Sequence, residues 1–221
     1  MDTQVHADRR RTVVVHSQRL PWVASPEAGV ERRLLERSGG EIALATSIVR
    51  YRPGSSFARH VHGGGEEFLV LEGTFSDESG DHARGTYVRN PPGSSHAPFS
   101  KEGCVIFVKL RQMQPDEGES VRIAPAARPW RVERRAGVER ALIYENTRTR
   151  VELLRLPPGA LMPARRVPGG EEFLVVQGEV EIQGPQPVTL DAWSWRRSAT
   201  REQPPLSSRG GAMLWVKQGH L

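Results

Sequence analysis

His60 and His62 lie two residues apart in a glycine-rich stretch, and Glu66 and Glu67 follow directly after the glycines. On a β-strand, residues i and i+2 point to the same face, so two imidazoles can project side by side into one cavity. A carboxylate from the following apolar segment can join them. The stretch 54–73 therefore indicates half of a metal site, which the rest of the chain must enclose and complete.

Short β-strands are the elements that would position these side chains. The chain of 221 residues contains 22 glycines and 17 prolines, and 37% of its residues are hydrophobic. Strand-like segments recur about every 8–12 residues between glycine and proline turns, and helical periodicity is nearly absent, which predicts an all-β sandwich or barrel. We predict strands over 11–16, 30–37, 41–51 and 103–110, and a polar connector over 111–125.

The composition excludes several classes of protein. No apolar run reaches the roughly 18 residues of a membrane span, and the N-terminus lacks the apolar segment of a secretory signal. One cysteine, Cys104, excludes an internal disulfide framework and favours the cytoplasm. The net charge is +5, but the arginines are dispersed, with short clusters only at Arg9–Arg11 and Arg134–Arg135. We expect no nucleic acid and no membrane as partners.

Five sequence blocks occur twice, in the same order and 105 to 108 residues apart. The matched pairs are Trp22 and Trp130, 28–32 and 136–140, 53–54 and 158–159, 64–70 and 169–175, and 103–109 and 211–217. Such an ordered repeat indicates internal duplication of one β-domain.

The duplication predicts four segments. Residues 1–14 form a disordered or arm-like N-terminus, and 15–115 form a metal-binding domain. A linker over 116–124 leads to a second domain over 125–221.

Two glycine-punctuated spacings in the first copy resemble the two motifs of the cupin superfamily. The first contains Gly54, His60, His62, Glu66 and Gly73, and the second contains Gly85, Pro91, Gly93 and His96. The resemblance implies two tandem cupin barrels of the double-stranded β-helix, or jelly-roll, type. It also implies one mononuclear metal ion in the first barrel, whose ligands, carried over by position, would be His60, His62, Glu66 and His96.

Three imidazoles and one carboxylate suit a divalent transition metal, with zinc or iron expected first and manganese or nickel after them. Magnesium and calcium prefer oxygen ligands. The superfamily spacing selects Glu66 as the ligand, but faces cannot be counted through the glycine run, so Glu67 stays an alternative. Glu66 could also dissociate to act as a base, and no other catalytic residue is identified.

Within the superfamily, residues 60–78 and 85–99 are similar to the cupin domain of ChrR-type anti-sigma factors. In those regulators the cupin domain binds zinc and responds to oxidative stress, and a separate N-terminal zinc-binding helical domain holds the sigma factor. Here about 20 residues precede the barrel, without a cysteine or a helical pattern. A sigma factor is therefore not expected as a partner.

The second copy keeps the Glu-Glu-Phe-Leu-Val block but not the histidines. Counting back from Glu171 places Arg165 and Val167 where the first copy has its two strand histidines, and residues 198–205 contain no histidine. We predict a degenerate cupin domain without metal ligands. Because Glu171 and Glu172 persist there, the block also has a structural value.

Other side chains carry weaker signals. Four of them either line a pocket for an anionic or aromatic ligand or fill the second barrel, and we favour filling: Trp193, Trp195, Arg165 and Arg166. For His82 we favour a surface turn over a place near the pocket. Cys104 is predicted to be a small buried hydrophobe and not a nucleophile.

Two functions compete at this point. The first is a non-catalytic metal-binding sensor or regulatory module that responds to oxidative stress, as the ChrR likeness implies. The second is a metal-dependent enzyme on a small molecule, such as an Fe(II) dioxygenase, with the substrate at the free coordination positions. The fold alone decides neither. Homodimer formation stays open, because two barrels in one chain can satisfy the interface by which single cupins pair.

Overall fold

The computed structural model describes residues 3–40, 42–132 and 137–221, and the predicted all-β architecture is confirmed. Two short 3-10 helices cover Ser17–Arg19 and Pro125–Ala127. No helix in the described ranges is long and apolar enough to cross a membrane. Glu41, the Arg134–Arg135 cluster and Ala136, which entered the strand, charge and repeat predictions, lie outside the described residues, as do residues 1–2 of the predicted arm.

The strands before the second repeat are β1 (Thr3–Val5), β2 (Val13–His16), β3 (Val23–Ala24), β4 (Val30–Gly39), β5 (Leu44–Tyr51), β6 (Ser55–Ser56), β7 (His60–Val61), β8 (Glu66–Asp77), β9 (Gly80–Ala83), β10 (Tyr87–Asn90), β11 (Ser95–His96), β12 (Phe99–Ser100) and β13 (Cys104–Leu110). Those that follow are β14 (Val121–Ile123), β15 (Trp130–Val132), β16 (Glu139–Glu145), β17 (Arg150–Leu156), β18 (Ala160–Met162), β19 (Arg165–Arg166), β20 (Glu171–Gly178), β21 (Val180–Ile182), β22 (Val188–Leu190), β23 (Ser194–Ser198), β24 (Glu202–Gln203), β25 (Leu206–Ser208) and β26 (Ala212–Gln218).

The first compact unit comprises residues 20–127 and the N-terminal residues up to Ala7. Its main sheet has the order β1-β4-β5-β13-β8-β10-β14. The long strand β8 pairs with β13 along most of its length, with β10 near its start, and with β9 and β12 near its end. Residues 66–71 of β8 are buried on both faces, as expected for an apolar strand enclosed in a jelly-roll barrel. Its core residues are Val30, Tyr51, Phe68, Val70, Phe75, Val88, Cys104, Ile106 and Val108.

The second compact unit comprises residues 8–19 and 128–221. Its main sheet has the order β15-β16-β17-β26-β20-β23-β2, which repeats the order of the first unit from β4 to β10 with the equivalent strands. An apolar cluster that includes Leu154, Phe173 and Leu214 fills its interior. Equivalent strands in equivalent order are the structural counterpart of the sequence duplication.

The ends of the two units differ from the predicted domain limits. β14 lies in the segment predicted as a linker, yet it pairs with β10 of the first unit. β2, which lies 108 residues earlier, pairs with β23 of the second unit, and β1 lies in the predicted arm. The first strand of each repeat thus completes the sheet of the unit that the other repeat builds. The β-branched run Val13–Val15 suits a strand.

Candidate metal centre

Three strands of the first unit bring the predicted ligands together. β7 and β11 are antiparallel neighbours, and their register places His60 directly opposite His96. Directly opposed residues of an antiparallel pair lie on the same face, so both imidazoles point the same way. His62 follows β7 two residues after His60, and Glu66 begins β8. The site therefore sits where the short β7–β11 pair meets the start of the central strand.

The glycine run between His62 and Glu66 makes the tight connection possible. Gly65 has a φ of +74°, a conformation that residues with a Cβ rarely adopt. A Cβ built on Gly65 would lie 2.3 Å from the Met113 sulfur atom. The chain can reverse here and begin β8 next to the histidines only because no side chain is present.

The four side chains form one compact cluster. Their ligand atoms lie within 4.8 Å of one another, and the described residues contain no second cluster of this kind. The Glu66 Oε2 atom is 3.6 Å from His62 Nε2 and 3.5 Å from His96 Nε2. The three imidazole rings stand edge to face with centroids 4.7 to 5.0 Å apart. The sequence prediction thus identified side chains that the fold brings together.

Neighbouring groups orient three of the four ligands. Nδ1 of His60 lies 2.8 Å from the carbonyl oxygen of Ala58, and Nδ1 of His96 lies 3.1 Å from Asp77 Oδ2. When Nδ1 donates in this way, the other ring nitrogen carries the lone pair that can face a metal ion. Asn90 Nδ2 donates to Glu66 Oε2 at 3.0 Å and so fixes the carboxylate.

The donor atoms at the centre of the cluster fit a bound cation. His62, Glu66 and His96 are 5%, 6% and 5% exposed. Nε2 of His62 and Nε2 of His96 are buried and have no hydrogen-bond partner. An unpartnered buried polar atom is costly. Ligand atoms that share a tetrahedral zinc ion at about 2.1 Å lie roughly 3.4 Å apart, close to the spacings between Glu66 and its two histidine neighbours.

The electrostatic environment separates the two buried histidines. Burial lowers the pKa of His62, and the neighbouring His96, His60 and Arg111 lower it further against the opposing charge of Glu66. Burial also acts to lower the pKa of His96, but the hydrogen bond to Asp77 and the charge of Glu66 outweigh it, so this pKa is raised. A raised pKa marks His96 as the more basic imidazole.

Asp77 and His82 form a buried network behind His96, which sequence reasoning did not find. Asp77 Oδ1 accepts from the backbone N–H of Ser79 at 2.8 Å and lies 3.3 Å from His82 Nε2. Burial acts to raise the pKa of Asp77, but the hydrogen bonds from His82, His96 and Ser79 outweigh it and hold the pKa below its ordinary value. The prediction of a surface turn for His82 is wrong. β9 pairs its residue His82 with Phe75, which puts the ring inside the barrel.

The structure also distinguishes Glu66 from Glu67. Antiparallel pairing sets Glu66 opposite Asn90 and Glu67 opposite Arg89. The Glu67 carboxylate accepts a hydrogen bond of 2.7 Å from the Tyr87 hydroxyl and lies 3.6 Å from Arg89 Nη1. Glu67 is thus held by a structural network, whereas Glu66 belongs to the histidine cluster.

The same positions of the second unit hold a different set of side chains. β19 and β24 pair Arg165 with Gln203, as β7 and β11 pair the two histidines of the first unit. The Arg165 guanidinium forms a hydrogen-bonded ion pair with Glu171, and Gln218 Nε2 donates to the same carboxylate at 2.8 Å. A guanidinium therefore contributes the positive charge that a metal ion would contribute in the first unit.

Two other candidate residues are buried away from the metal cluster. Trp195 is fully buried, and its Nε1 donates to Glu172 at 2.7 Å. It pairs with Leu174, on the face of β20 opposite the core residue Phe173, so the prediction that it fills the barrel is wrong although it is buried. Cys104 is buried, as predicted, and desolvation raises the pKa of its thiol to about 11, which disfavours the reactive thiolate.

The family model described as "ChrR Cupin-like domain" matches the chain twice, over residues 10–114 and 119–221. No curated protein matches the chain in sequence.

Solved structures share the fold at low sequence identity. A proposed dioxygenase from Nostoc punctiforme is 14% identical, with a TM-score of 0.74 over 98% of this chain and 86% of that one. Protein Ylba from E. coli is 13% identical, with a TM-score of 0.74 over 99% and 94% of the two chains. A variant of the salicylate 1,2-dioxygenase from Pseudoaminobacter salicylatoxidans is 13% identical, with a TM-score of 0.59 over 80% and 70%. At such identities the likeness extends to the fold alone.

Proposed function

The chain belongs to the ChrR Cupin-like domain family, and from this premise we propose that its first copy of the domain binds one divalent transition-metal ion and acts as a metal-dependent regulatory module. His60, His62, Glu66 and His96 would hold the ion. The second copy would serve the module without a metal of its own. A cytoplasmic location and a response to oxidative stress are part of this proposal.

The observation that carries the proposal is the pair of buried, unpartnered imidazole nitrogens. Nε2 of His62 and Nε2 of His96 both lie near the same Glu66 oxygen, at 3.6 and 3.5 Å, without making a hydrogen bond. A buried imidazole nitrogen without a hydrogen bond lowers the stability of the fold, and a bound cation would restore that stability. The Asp77 carboxylate behind His96 supports this assignment, since ligating histidines commonly donate their second ring nitrogen to a carboxylate.

The enclosure of the ligands favours a regulatory module over an enzyme. Three of the four ligands are more than nine-tenths buried. The neighbours of the cluster, Asp77 and Asn90, are engaged in orienting ligands. Such an ion would act chiefly as a structural or sensing element, whose loss or exchange changes the stability of the barrel.

The alternative function is a metal-dependent enzyme on a small molecule, such as an Fe(II) dioxygenase. One observation favours it, because His60 is only partly buried and marks a side of the cluster that lies nearer to solvent. A bound metal would supply Lewis-acid or redox chemistry there, at positions that the four ligands leave free. Glu66 could dissociate from the metal ion and act as a base.

Metal analysis tests whether the ion is bound at all. The protein, purified anaerobically and desalted, is expected to carry about one zinc or iron ion per chain, measured by mass spectrometry of the metal. His60→Ala and His96→Ala should remove it. His16→Ala, which alters a histidine near Asp191 in the second unit, is the matched control and should keep it. Metal retained in both cluster variants would contradict the proposal.

Solvent access to the ion distinguishes the two functions. With manganese substituted into the site, water-proton relaxation reports whether a water molecule exchanges on the metal. Little enhancement, together with zinc as the native ion and metal loss on peroxide treatment, supports the regulatory module. Iron with rapidly exchanging water supports the enzyme.

A further inference from the structure

The second unit contains a basic cavity of about 480 Å³, at the end of the barrel that corresponds to the metal cluster of the first unit. Five arginines line it and one carboxylate faces it: Arg140, Arg148, Arg150, Arg165, Arg166 and Glu152. Cavities of about 300–1,000 Å³ accommodate small-molecule ligands. All the lining residues belong to this unit alone.

Two charged residues of this cavity stand where the first unit has small neutral ones. Arg150 lies opposite Gln218 in the ladder between β17 and β26, whereas the equivalent ladder of the first unit has Ala45 opposite Leu110. Two residues further on, Glu152 takes the place that Ser47 has in the first unit. On this strand the interior of the second unit is therefore more highly charged than that of the first, and packing of an apolar core does not require such charges.

The buried carboxylates hold the arginines in place. Glu152 accepts from Arg150 at 2.7 Å and from Arg140 at 3.3 Å. Glu171 accepts from Arg165 and from Gln218. Arg150 also reaches the exposed Glu145 at 2.6 Å. A guanidinium has five N–H donors in a fixed fork, so one that is anchored from behind can still present donors to a ligand.

In and around this cavity, arginines outnumber carboxylates. Arg196, which is 5% exposed, lies next to it and donates through Nη1 to the neutral Gln203 at 2.8 Å. Burial lowers the pKa of Arg196, Glu171 opposes this, and the charge of Arg165 lowers it further. Arg166 stands at the exposed rim, 4.0 Å from Glu202. A bound anion would stabilise such an arrangement.

We propose that this cavity binds a small anion with a carboxylate or phosphate group, which Arg150 and Arg165 anchor and Arg166 attracts at the rim. Arginine pairs bind both groups by parallel N–H···O hydrogen bonds. The copy of the domain that has no histidine cluster would then be a ligand-binding barrel. The site does not depend on a metal in the first unit.

Calorimetric titration with inorganic phosphate and with succinate, at constant ionic strength, tests the proposal and distinguishes the two chemistries. Saturable binding of either probe at one per chain is the expected result, whereas the neutral diamide of succinate should not bind. Removal of metal by a chelator should leave this binding unchanged. A failure of the anion-binding proposal can therefore be distinguished from a failure of the metal proposal.

Variants locate the site. Arg150→Gln with Arg166→Gln should weaken binding roughly ten- to hundredfold. Arg155→Gln, on the same strand β17 but paired with Glu139 outside the cavity, is the matched control and should bind like the wild type. Should the Arg150 variant unfold, Arg166→Gln alone, at its exposed position, should still weaken binding severalfold. No saturable binding of either probe, or equal binding by wild type and the Arg166 variant, would overturn the proposal.

Discussion

The two halves of the chain are built on one scaffold and differ in the source of the positive charge at the same place. In the first unit, three histidines and Glu66 converge, and two imidazole nitrogens are buried without partners. In the second, Arg165 forms an ion pair with Glu171 at the equivalent position, beside the basic cavity. The Glu-Glu-Phe-Leu-Val block is thus a common structural element, and the residues that face it decide which cation it meets.

The glutamate pair shows this division most clearly. The second glutamate of each pair accepts from an aromatic residue on the neighbouring strand, from Tyr87 in one unit and from Trp195 in the other. The first glutamate faces the variable position. The second glutamate therefore stabilises the barrel, and the first contributes to the site that differs between the two units.

Transplanting the second unit's residues into the first should have the largest effect. The triple variant His60→Arg, His62→Val and His96→Gln gives the first unit the side chains found at Arg165, Val167 and Gln203. We expect metal binding to fall below detection, while circular dichroism and cooperative unfolding stay like those of the metal-free wild type. If the triple variant unfolds, a guanidinium cannot replace the metal ion in the first unit, which would contradict the comparison of the two units.

Disruption of the edge strand of one unit should affect that unit alone. Val15 is buried in β2, which completes the sheet of the second unit, and Val15→Asp should cost about 3 kcal/mol of stability. Hydrogen exchange should show the loss in the second unit, with metal still bound in the first. The converse variant, Ile123→Asp in β14, should weaken the first unit. Loss of metal from the Val15 variant would contradict the assignment of β2.

Asp77→Asn tests the carboxylate behind His96. The variant should weaken metal affinity about 10- to 100-fold, or roughly 1.4–2.7 kcal/mol, because the ring loses its charged hydrogen-bond acceptor. Competition with a chelator measures this change. Asp81→Asn, on the adjoining hairpin and bonded to Ser76, is the control and should have no effect. If both variants bind the metal with equal affinity, Asp77 does not contribute to metal binding through His96.

Glu67→Gln should have the smallest effect on the metal. Its carboxylate serves Tyr87 and Arg89, so we expect a loss of about 1–2 kcal/mol in folding stability with metal content unchanged. Glu66→Gln should instead reduce the metal content and leave the folding stability of the metal-free protein nearly unchanged. If Glu67→Gln removes the ion and Glu66→Gln does not, the assignment of the two carboxylates is inverted.

Local alternation predicted that two histidines share one face, and the repeated blocks predicted the duplication. The full set of four candidate ligands came from the resemblance to the cupin motifs. The superfamily spacing selected Glu66, but counting faces along the chain could not exclude Glu67, because that choice depends on the register of β8 with β10. Asp77 carried no signal in the sequence, and for His82 a surface turn was wrongly favoured over a place near the pocket, because only the hairpin of β8 and β9 turns both residues inward.

For Arg165 and Arg166 the sequence left a pocket and barrel filling open and favoured filling, which is wrong for these two residues, because they line a cavity. Arg150 and Glu152 complete that cavity from another strand, which the sequence did not indicate.

The exchange of edge strands also lay beyond sequence reasoning. A short β-branched segment such as Val13–Val15 predicts a strand, but its composition does not say which sheet it joins. The segment 121–123 was too short and too polar in its surroundings to stand out from the connector predicted over 111–125. Tertiary pairing decides both cases.

The number of metal ions per chain tests the central comparison most directly. Metal-free protein is incubated with excess zinc or, anaerobically, with ferrous iron, then desalted and analysed for metal and protein. The account predicts one ion per chain in the wild type and none in the triple variant of the first unit. Two ions per chain, no ion, or one ion that survives the triple substitution would contradict it.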